Sequence, residues 1–288
     1  MLNYWRSMLI ALCVLWTGVC AAEPAIWQVQ GKHNTVYLIG TIHMLNGNAQ
    51  LPTNIVRAYR DSKQLLMEID MDDLDPLVAQ TTMMELGMQP DGQTLSSQLD
   101  ADTNKKLGIA AGKLGLDAEM LEQFQPWLAA LTLEQLEFVK LGYAADAGIE
   151  MQLTQLAEAD HKPIQGLETL EQQLGVFAQL DANAQRTYLK QTLTELDEAP
   201  TELAALLTAW RNGDDAQMQR TLQQGMAEDP KLFTALTSAR NRRWIALIKP
   251  VLDQQQDNYL VAVGALHLLG NDGLVALLQR AGYSVTRH

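Results

Sequence analysis

The stretch GTIHMLNGN at residues 40–48 recurs with the same pattern as GALHLLGND at residues 264–272. Each copy follows an apolar run, TVYLIG in the first case and NYLVAVG in the second. Apolar runs of this length and composition predict buried strands. Each copy therefore places one histidine, His43 or His267, just after a strand, and we expect the two histidines to face one site.

Two further buried strands are predicted by QLLMEI, residues 64–69, and by KPIQGLE, residues 162–168. They end near Glu68 and Glu168. In open α/β sheets, sites form beyond the carboxyl ends of the strands. If the four strands are neighbours, two imidazoles and two carboxylates converge at one edge of the sheet. This donor set is typical of a divalent metal site, with manganese, cobalt or zinc as the candidates.

The histidines also have a structural interpretation, because a buried imidazole at a strand end can hydrogen-bond the backbone and hold a loop. Gly40 and Gly264 begin the two motifs, and we expect them to let the backbone turn sharply without a Cβ clash. The other histidines, His33, His161 and His288, lie in a turn, after a helix and at the end of the sequence. We expect these three to be exposed or structural.

The remaining patterns predict an α/β fold. AIWQVQ and TVYLIG flank the turn-prone GKHN and predict a β-hairpin, and TNIVRAYRDS predicts a helix after Pro52. Helical periodicity dominates two longer blocks, at about 76–162 and 169–251. We expect a central mixed, largely parallel sheet of about six strands in a single domain at residues 23–288. The first block would form a large helical insertion.

Residues 1–22 have a different composition from the rest. A short apolar core, residues 8–19, follows one basic residue and ends in small residues. This pattern predicts a signal peptide cleaved near Ala22, with an uncleaved anchor as the alternative. The protein would then be periplasmic or secreted, with no stable membrane span. Both cysteines, Cys13 and Cys20, lie in this segment, so we expect no thiolate chemistry in the mature protein.

Several classes of partner and chemistry find no support in the sequence. The formal net charge of −13 argues against nucleic acid or an anionic membrane surface as a partner. Serine-nucleophile, P-loop and Rossmann motifs are absent. The acidic run at residues 70–76 lacks the spacing of a calcium loop and predicts a solvated helix start. Asp70 alone is expected on the same sheet face as Glu68, where it would support the site.

A cationic candidate lies late in the chain, in SARNRRW at residues 238–244. Arg240 and Arg243 share a helix face because they are three residues apart. We expect Arg240 to hold a developing oxyanion or a phosphate. We expect Asn241 to donate a hydrogen bond to a substrate or to orient a ligand. A solvated helix face is the alternative for Arg240.

Taken together, TVYLIGTIHMLNG, LLMEID, KPIQGLET, ARNRRW and VAVGALHLLGNDGLVALLQRAGYSV resemble the TraB/GumN family. That family is related to the Tiki proteins, within a group that includes ChaN-like and erythromycin-esterase-like proteins. The resemblance covers about residues 25–288 and implies a metal-dependent hydrolase-like fold, with peptidase activity in the Tiki branch. It assigns function to His43, Glu68, Glu168, Arg240 and His267. Glu150 departs from the pattern, because relatives often carry Asp there, but the carboxylate is kept.

We therefore expect a periplasmic metal-dependent hydrolase that acts on peptide or amide bonds. His43, Glu68 and His267 would hold the metal, and Glu168 would be a ligand or the general base. The alternative is a non-catalytic protein that binds haem or metal, or an accessory protein of the envelope or its polysaccharides. The substrate would be a peptide or a small molecule, and the sequence leaves the oligomeric state open.

Overall fold

A computed structural model of the chain describes residues 23–225 and 230–288. The predicted signal peptide and both cysteines lie outside the described residues, so what was predicted of them stays a prediction. The division into domains also stays a prediction. Within the described ranges, no helix is long and apolar enough to cross a membrane.

A mixed six-stranded sheet forms the centre of the fold. The strands are β1 (Ile26–Gln30), β2 (Thr35–Thr41), β3 (Leu45–Asn46), β4 (Gln64–Met67), β5 (Tyr143–Ala144), β6 (Ile164–Gly166), β7 (Tyr259–Gly264) and β8 (Ser284–Arg287). The order in the sheet is β6-β4-β7-β2-β1-β8. β1 is antiparallel to both of its neighbours, and the other three pairings are parallel. The predicted α/β fold with a largely parallel sheet is confirmed.

Most of the remaining chain is helical. The helices are α1 (Thr53–Asp61), α2 (Pro76–Gly87), α3 (Ala101–Lys113), α4 (Pro126–Lys140), α5 (Ile149–Asp160), α6 (Leu170–Ala178), α7 (Ala182–Glu195), α8 (Ala199–Arg211), α9 (Asp215–Gly225), α10 (Pro230–Leu236), α11 (Ser238–Gln254) and α12 (Leu274–Arg280). Short 3₁₀ turns lie at Ser96–Gln98, Ala118–Leu121, Ala145–Ala147 and Ala265–Leu268. Along the chain, the helices α2 to α5 come between β4 and β6, and the helices α6 to α11 come between β6 and β7.

The sheet is covered on both faces. Leu260 and Ala262 of β7 pack in the same core as α1 and α5, whereas Val261 and Val263 pack in the core formed with α11 and α12. Every residue of β7 is buried. This is why its sequence is a continuous apolar run rather than an alternating one.

The strand order brings the two motifs together. β7 lies between β4 and β2 and is parallel to both, so the three strands end at the same edge of the sheet. The register pairs Thr41 of β2 with Gly264 of β7. The chain runs from β2 through α1 to β4, but β7, from late in the chain, lies between β2 and β4 in the sheet.

A second, two-stranded sheet was not predicted. β3 begins two residues after His43 and pairs antiparallel with β5, which lies inside the predicted helical insertion. Each strand has only two residues, which is too short for a period-two pattern to appear in the sequence. The pairing ties the loop after the first motif to the helical block.

Candidate active site

Three of the predicted site residues face a common point beside Gly264. A Cβ built on this glycine would lie 3.1 Å from Glu68 Oε1, 3.5 Å from His43 Nε2 and 3.7 Å from His267 Cδ2. The distance between the two imidazoles is therefore at most the sum of the last two values. The recurrence of the motif in the sequence thus corresponds to one shared edge of the sheet.

Space explains the two motif glycines. A Cβ on Gly40 would lie 2.9 Å from the Cα of Ala265, so only glycine lets the two motifs approach this closely. Gly264 has φ −49° and ψ 137°, a conformation open to any residue. The expected sharp turn is therefore not the reason for either glycine, since neither has a positive φ.

Arg240 lies at the centre of a buried ion-pair cluster. Its Nη2 donates to Glu68 Oε2 and to Glu168 Oε1, both at 2.5 Å, and its Nε donates to Glu168 Oε1 at 2.9 Å. Its Nη1 lies 3.0 Å from His267 Nε2 and donates to the Leu236 carbonyl at 3.2 Å. All five guanidinium N–H groups thus have partners, and the side chain is 5% exposed. Arg240 can therefore contact a substrate oxygen only after it gives up one of these contacts.

The cluster keeps Glu68 ionised. Burial by itself raises the pKa of Glu68, but the neighbouring charges and the Gly264 N–H lower it to about 2. Burial lowers the pKa of His267 to about 3, so this imidazole is neutral near pH 7. Arg240 and His43 therefore carry the positive charge that stabilises the Glu68 carboxylate at neutral pH.

His267 is held in one tautomer. Asn241 Nδ2 donates to the backbone carbonyls of His267 and Asp272, so its Oδ1 must be the acceptor that lies 2.7 Å from His267 Nδ1. The ring proton is consequently on Nδ1, and Nε2 accepts from Arg240. Trp244 packs against the ring, with centroids 4.4 Å apart. Asn241 is 1% exposed and orients the imidazole in this arrangement.

His43 is the accessible member of the site, since its side chain is 66% exposed. Its Nδ1 lies 2.6 Å from Glu150 Oε1, and Thr41 Oγ1 donates to the same oxygen. The Glu150 charge raises the pKa of His43 to about 9. The carboxylate kept at position 150 thus orients the ring, with Nε2 directed at the point beside Gly264.

The other predicted residues lie around this centre in different ways. Glu168 is 1% exposed at its side chain, and its Oε2 lies 3.4 Å from Arg243 Nη2, as a shared helix face for the two arginines implies. Asp70 makes no contact with the site that the structure records. Burial raises the pKa of Asp70 more than the N–H groups of Asp73 and Asp72 lower it, and among the described residues its buried Oδ1 has no hydrogen-bond partner.

The three histidines set aside in the sequence behave as expected. His33, His161 and His288 are all exposed. His161 has φ 52° and ends α5 in the left-handed conformation. The prediction that they are exposed or structural is confirmed.

One residue of the site was missed. Gln173, on the second turn of α6, donates from Nε2 to Glu68 Oε2 at 2.9 Å. A capping box between Thr169 and Gln172 starts α6 immediately after Glu168. A capping box of this kind in the sequence predicts the start of a helix. It would have placed the start of α6 beside the carboxyl ends of the strands. No signal in the sequence points to Gln173 itself.

The predicted metal ligands suit a divalent cation by type but not by arrangement. Glu68 Oε1 and His43 Nε2 face the point beside Gly264, whereas His267 turns Cδ2 towards it and Nε2 towards Arg240. Among the residues that the structure describes, no group of three or more His, Cys, Asp or Glu could hold a metal ion. The three predicted ligands therefore form no metal site while Arg240 holds His267.

Comparison with known proteins identifies the family of the chain. The model of the TraB/PrgY/gumN family matches residues 25–287. The uncharacterized protein YbaP of Escherichia coli is 28% identical over 257 residues, which cover 89% of this chain and 92% of YbaP. No solved structure gives a significant match.

More distant similarity connects the chain with named metalloproteases. Metalloprotease TIKI2 of Xenopus tropicalis is 23% identical over 340 residues, covering 98% of this chain and 64% of TIKI2. Metalloprotease TIKI1 of Danio rerio is 25% identical over 311 residues, covering 90% of this chain and 62% of TIKI1. This chain thus spans less than two thirds of either protease. The family model, by contrast, spans nearly all of the described residues, and the chain belongs to the TraB/PrgY/gumN family.

Proposed function

We propose that this protein is a hydrolase that cleaves peptide or amide bonds. The observation that carries the proposal is the common point beside Gly264, faced by the exposed imidazole of His43 and the ionised carboxylate of Glu68. A water molecule between these two groups would have two polar partners, and the exposed His43 ring would be within reach of a substrate. The similarity to Tiki metalloproteases supports the same reaction class.

In this proposal His43 is the general base. Its Nδ1–H is held by Glu150, so Nε2 of the neutral ring is free to take a proton from the water. The resulting hydroxide attacks the carbonyl carbon, and His43 then gives the proton to the leaving nitrogen as the C–N bond breaks. Glu68 Oε1 orients the water, since a carboxylate with a pKa of about 2 is a weak base.

Arg240 and Glu168 are positioning residues in the proposal. Arg240 fixes Glu68 and His267 from inside the fold, and Glu168 holds Arg240 in turn. The base role is assigned to His43 rather than to Glu168, because the Glu168 side chain is enclosed and engaged by two arginines.

A divalent metal, manganese, cobalt or zinc, is the alternative to His43 as general base, supported by the donor types and by the names of the Tiki relatives. In that alternative His43 Nε2 would be a ligand rather than the base, and Arg240 would have to release His267 Nε2. The location in the periplasm or outside the cell is likewise proposed, on the composition of residues 1–22.

Cleavage of a peptide library tests the proposal. The purified protein is incubated with the library in one set of reactions with EDTA and in separate reactions with added manganese, cobalt or zinc. We expect cleavage that His43→Ala removes and that His33→Ala, a substitution of an exposed histidine, leaves unchanged. We also expect kcat/KM to rise about tenfold per pH unit up to about pH 9, because the base must be neutral. Cleavage by His43→Ala, or a haem absorbance band without cleavage, would contradict the proposal.

A further inference from the structure

Arg243 is the outer, exposed member of the ion-pair cluster around Arg240. It lies three residues after Arg240 on α11, and its Nη2 is 3.4 Å from Glu168 Oε2. The side chain of Arg243 is 50% exposed, whereas the side chains of Arg240 and Glu168 are buried. The cluster therefore presents the guanidinium group of Arg243 to solvent.

Most of the hydrogen-bonding capacity of Arg243 is unused. A guanidinium group has five N–H donors in a planar fork that matches the geometry of a carboxylate. Among the residues that the structure describes, Glu168 is the only partner of the Arg243 side chain, and 3.4 Å is long for a hydrogen bond. At least four donors of Arg243 are therefore available to a second carboxylate that arrives from solvent.

Arg243 and His43 lie at opposite ends of one row of site residues. The strand order β6-β4-β7-β2 arranges these residues along the edge of the sheet in the order Glu168, Glu68, Gly264 and His43. The Glu168 N–H donates to the Glu68 carbonyl at 2.9 Å, so the two strands stay paired beyond their ends. His43 is exposed at one end of the row, and Arg243 is exposed where it contacts Glu168 at the other. A substrate that lies along the row can therefore contact both exposed side chains.

The spacing of the strands sets the distance between the cleaved bond and Arg243. Neighbouring strands lie about 4.8 Å apart, so the two steps from β7 to β6 span roughly 10 Å. An extended peptide advances about 3.3 Å per residue. A peptide whose cleaved bond lies at the point beside Gly264 therefore reaches Arg243 with a residue about three positions away.

From this arrangement we infer that Arg243 selects substrates that carry a carboxylate about three residues from the cleaved bond. The inference rests on the proposed hydrolase activity and names the chemistry of its substrates. The carboxylate is an acidic side chain or the C-terminus of the peptide, since both present the same two oxygens to a guanidinium group. Binding leaves the contacts of Arg240 in place, because Arg243 is not one of its partners.

Kinetics on two series of peptides test the inference, both based on a peptide found by library cleavage. In the first series both ends are capped, and a single Glu or Gln stands at each successive position on either side of the cleaved bond. In the second series the peptide ends at each successive position after the cleaved bond, with a free carboxylate or an amide. We expect kcat/KM to be about fivefold higher for the acidic member of a pair about three residues from the bond, as for an exposed ion pair. The first series detects an acidic side chain, and the second detects the C-terminus.

Three variants assign the preference to Arg243. Arg243→Gln should remove it, and Arg243→Lys should keep part of it, because lysine keeps the charge but not the planar fork. The matched control is Arg242→Gln, which should keep the whole preference, because the exposed Arg242 side chain lies 3.9 Å from Asp272 and away from Glu168. The measured quantity is the ratio of kcat/KM between the acidic and the neutral peptide, from which a general loss of activity cancels. The preference should also weaken at high salt, which screens an exposed ion pair.

The possible outcomes separate the inference from the proposed function. Equal kcat/KM for acidic and neutral peptides at every position, or a preference that Arg243→Gln retains in full, would overturn the inference and leave the hydrolase activity standing. No cleavage of any library peptide would overturn the proposed function and the inference together.

Discussion

Replacement of Arg240 by methionine should strongly destabilise the fold. The substitution keeps a long apolar side chain but removes the cation from between two carboxylates whose side chains are 7% and 1% exposed. Removal of one partner from a buried ion pair costs about 3–5 kcal/mol, because the remaining charge is left uncompensated. We expect a loss of this size in the free energy of unfolding at pH 7, measured by urea denaturation.

The matched control is Arg242→Met on the same helix. The Arg242 side chain is 59% exposed and lies 3.9 Å from Asp272, so the expected loss is below about 1 kcal/mol. Addition of Glu168→Gln to Arg240→Met should recover part of the lost free energy of unfolding, because it removes one of the two buried carboxylate charges left without a cation. A loss below about 1 kcal/mol in Arg240→Met, or no recovery in the double variant, would refute the reasoning.

Three further predictions concern the point beside Gly264. Gly264→Ala should abolish hydrolysis, because its Cβ would fill the space 3.1 Å from Glu68 Oε1. The protein should stay folded, because the backbone conformation of Gly264 is permitted for alanine. The control Gly47→Ala should remain active, because a Cβ there meets nothing within 4 Å. Glu150→Gln should move the midpoint of the kcat/KM pH profile from about 9 towards the ordinary histidine value, because it removes the charge that holds the proton on His43; an unmoved midpoint would contradict this role. The ionised carboxylate of Glu68 should contribute about 3 kcal/mol to the free energy of unfolding, as measured by urea denaturation. This contribution should be complete above the ordinary pKa of a glutamate and should be lost as the pH falls towards 2. Glu68→Gln should make the free energy of unfolding less dependent on pH in this range.

The strand-end residues could be predicted because they depend on local patterns. Apolar runs placed His43, Glu68, Glu168 and His267 after four strands, and those strands proved to be neighbours. The prediction did not need the order of the strands, since any arrangement of neighbouring parallel strands places their carboxyl ends at one edge.

The contacts made by each atom could not be predicted in this way. Whether His267 Nε2 faces a metal ion or Arg240 depends on the packing of α11 against the sheet, which no periodicity encodes. Similarly, Glu150 reaches His43 because α5 begins beside the end of β2, with the Ile149 N–H bonded to the Ile42 carbonyl. The sequence also contains no pattern that predicts the pairing of the two-residue strands β3 and β5 in this region.

The central claim is that the two histidines of the repeated motif serve one site. A double-variant cycle tests it, with kcat/KM measured on a peptide found by library cleavage for His43→Ala, for His267→Ala and for the two combined. Residues that act as a unit give strongly non-additive losses. We predict that the double variant is no more than a fewfold worse than the worse single variant. If the two losses instead multiply, the histidines act independently and the account of a shared site is contradicted.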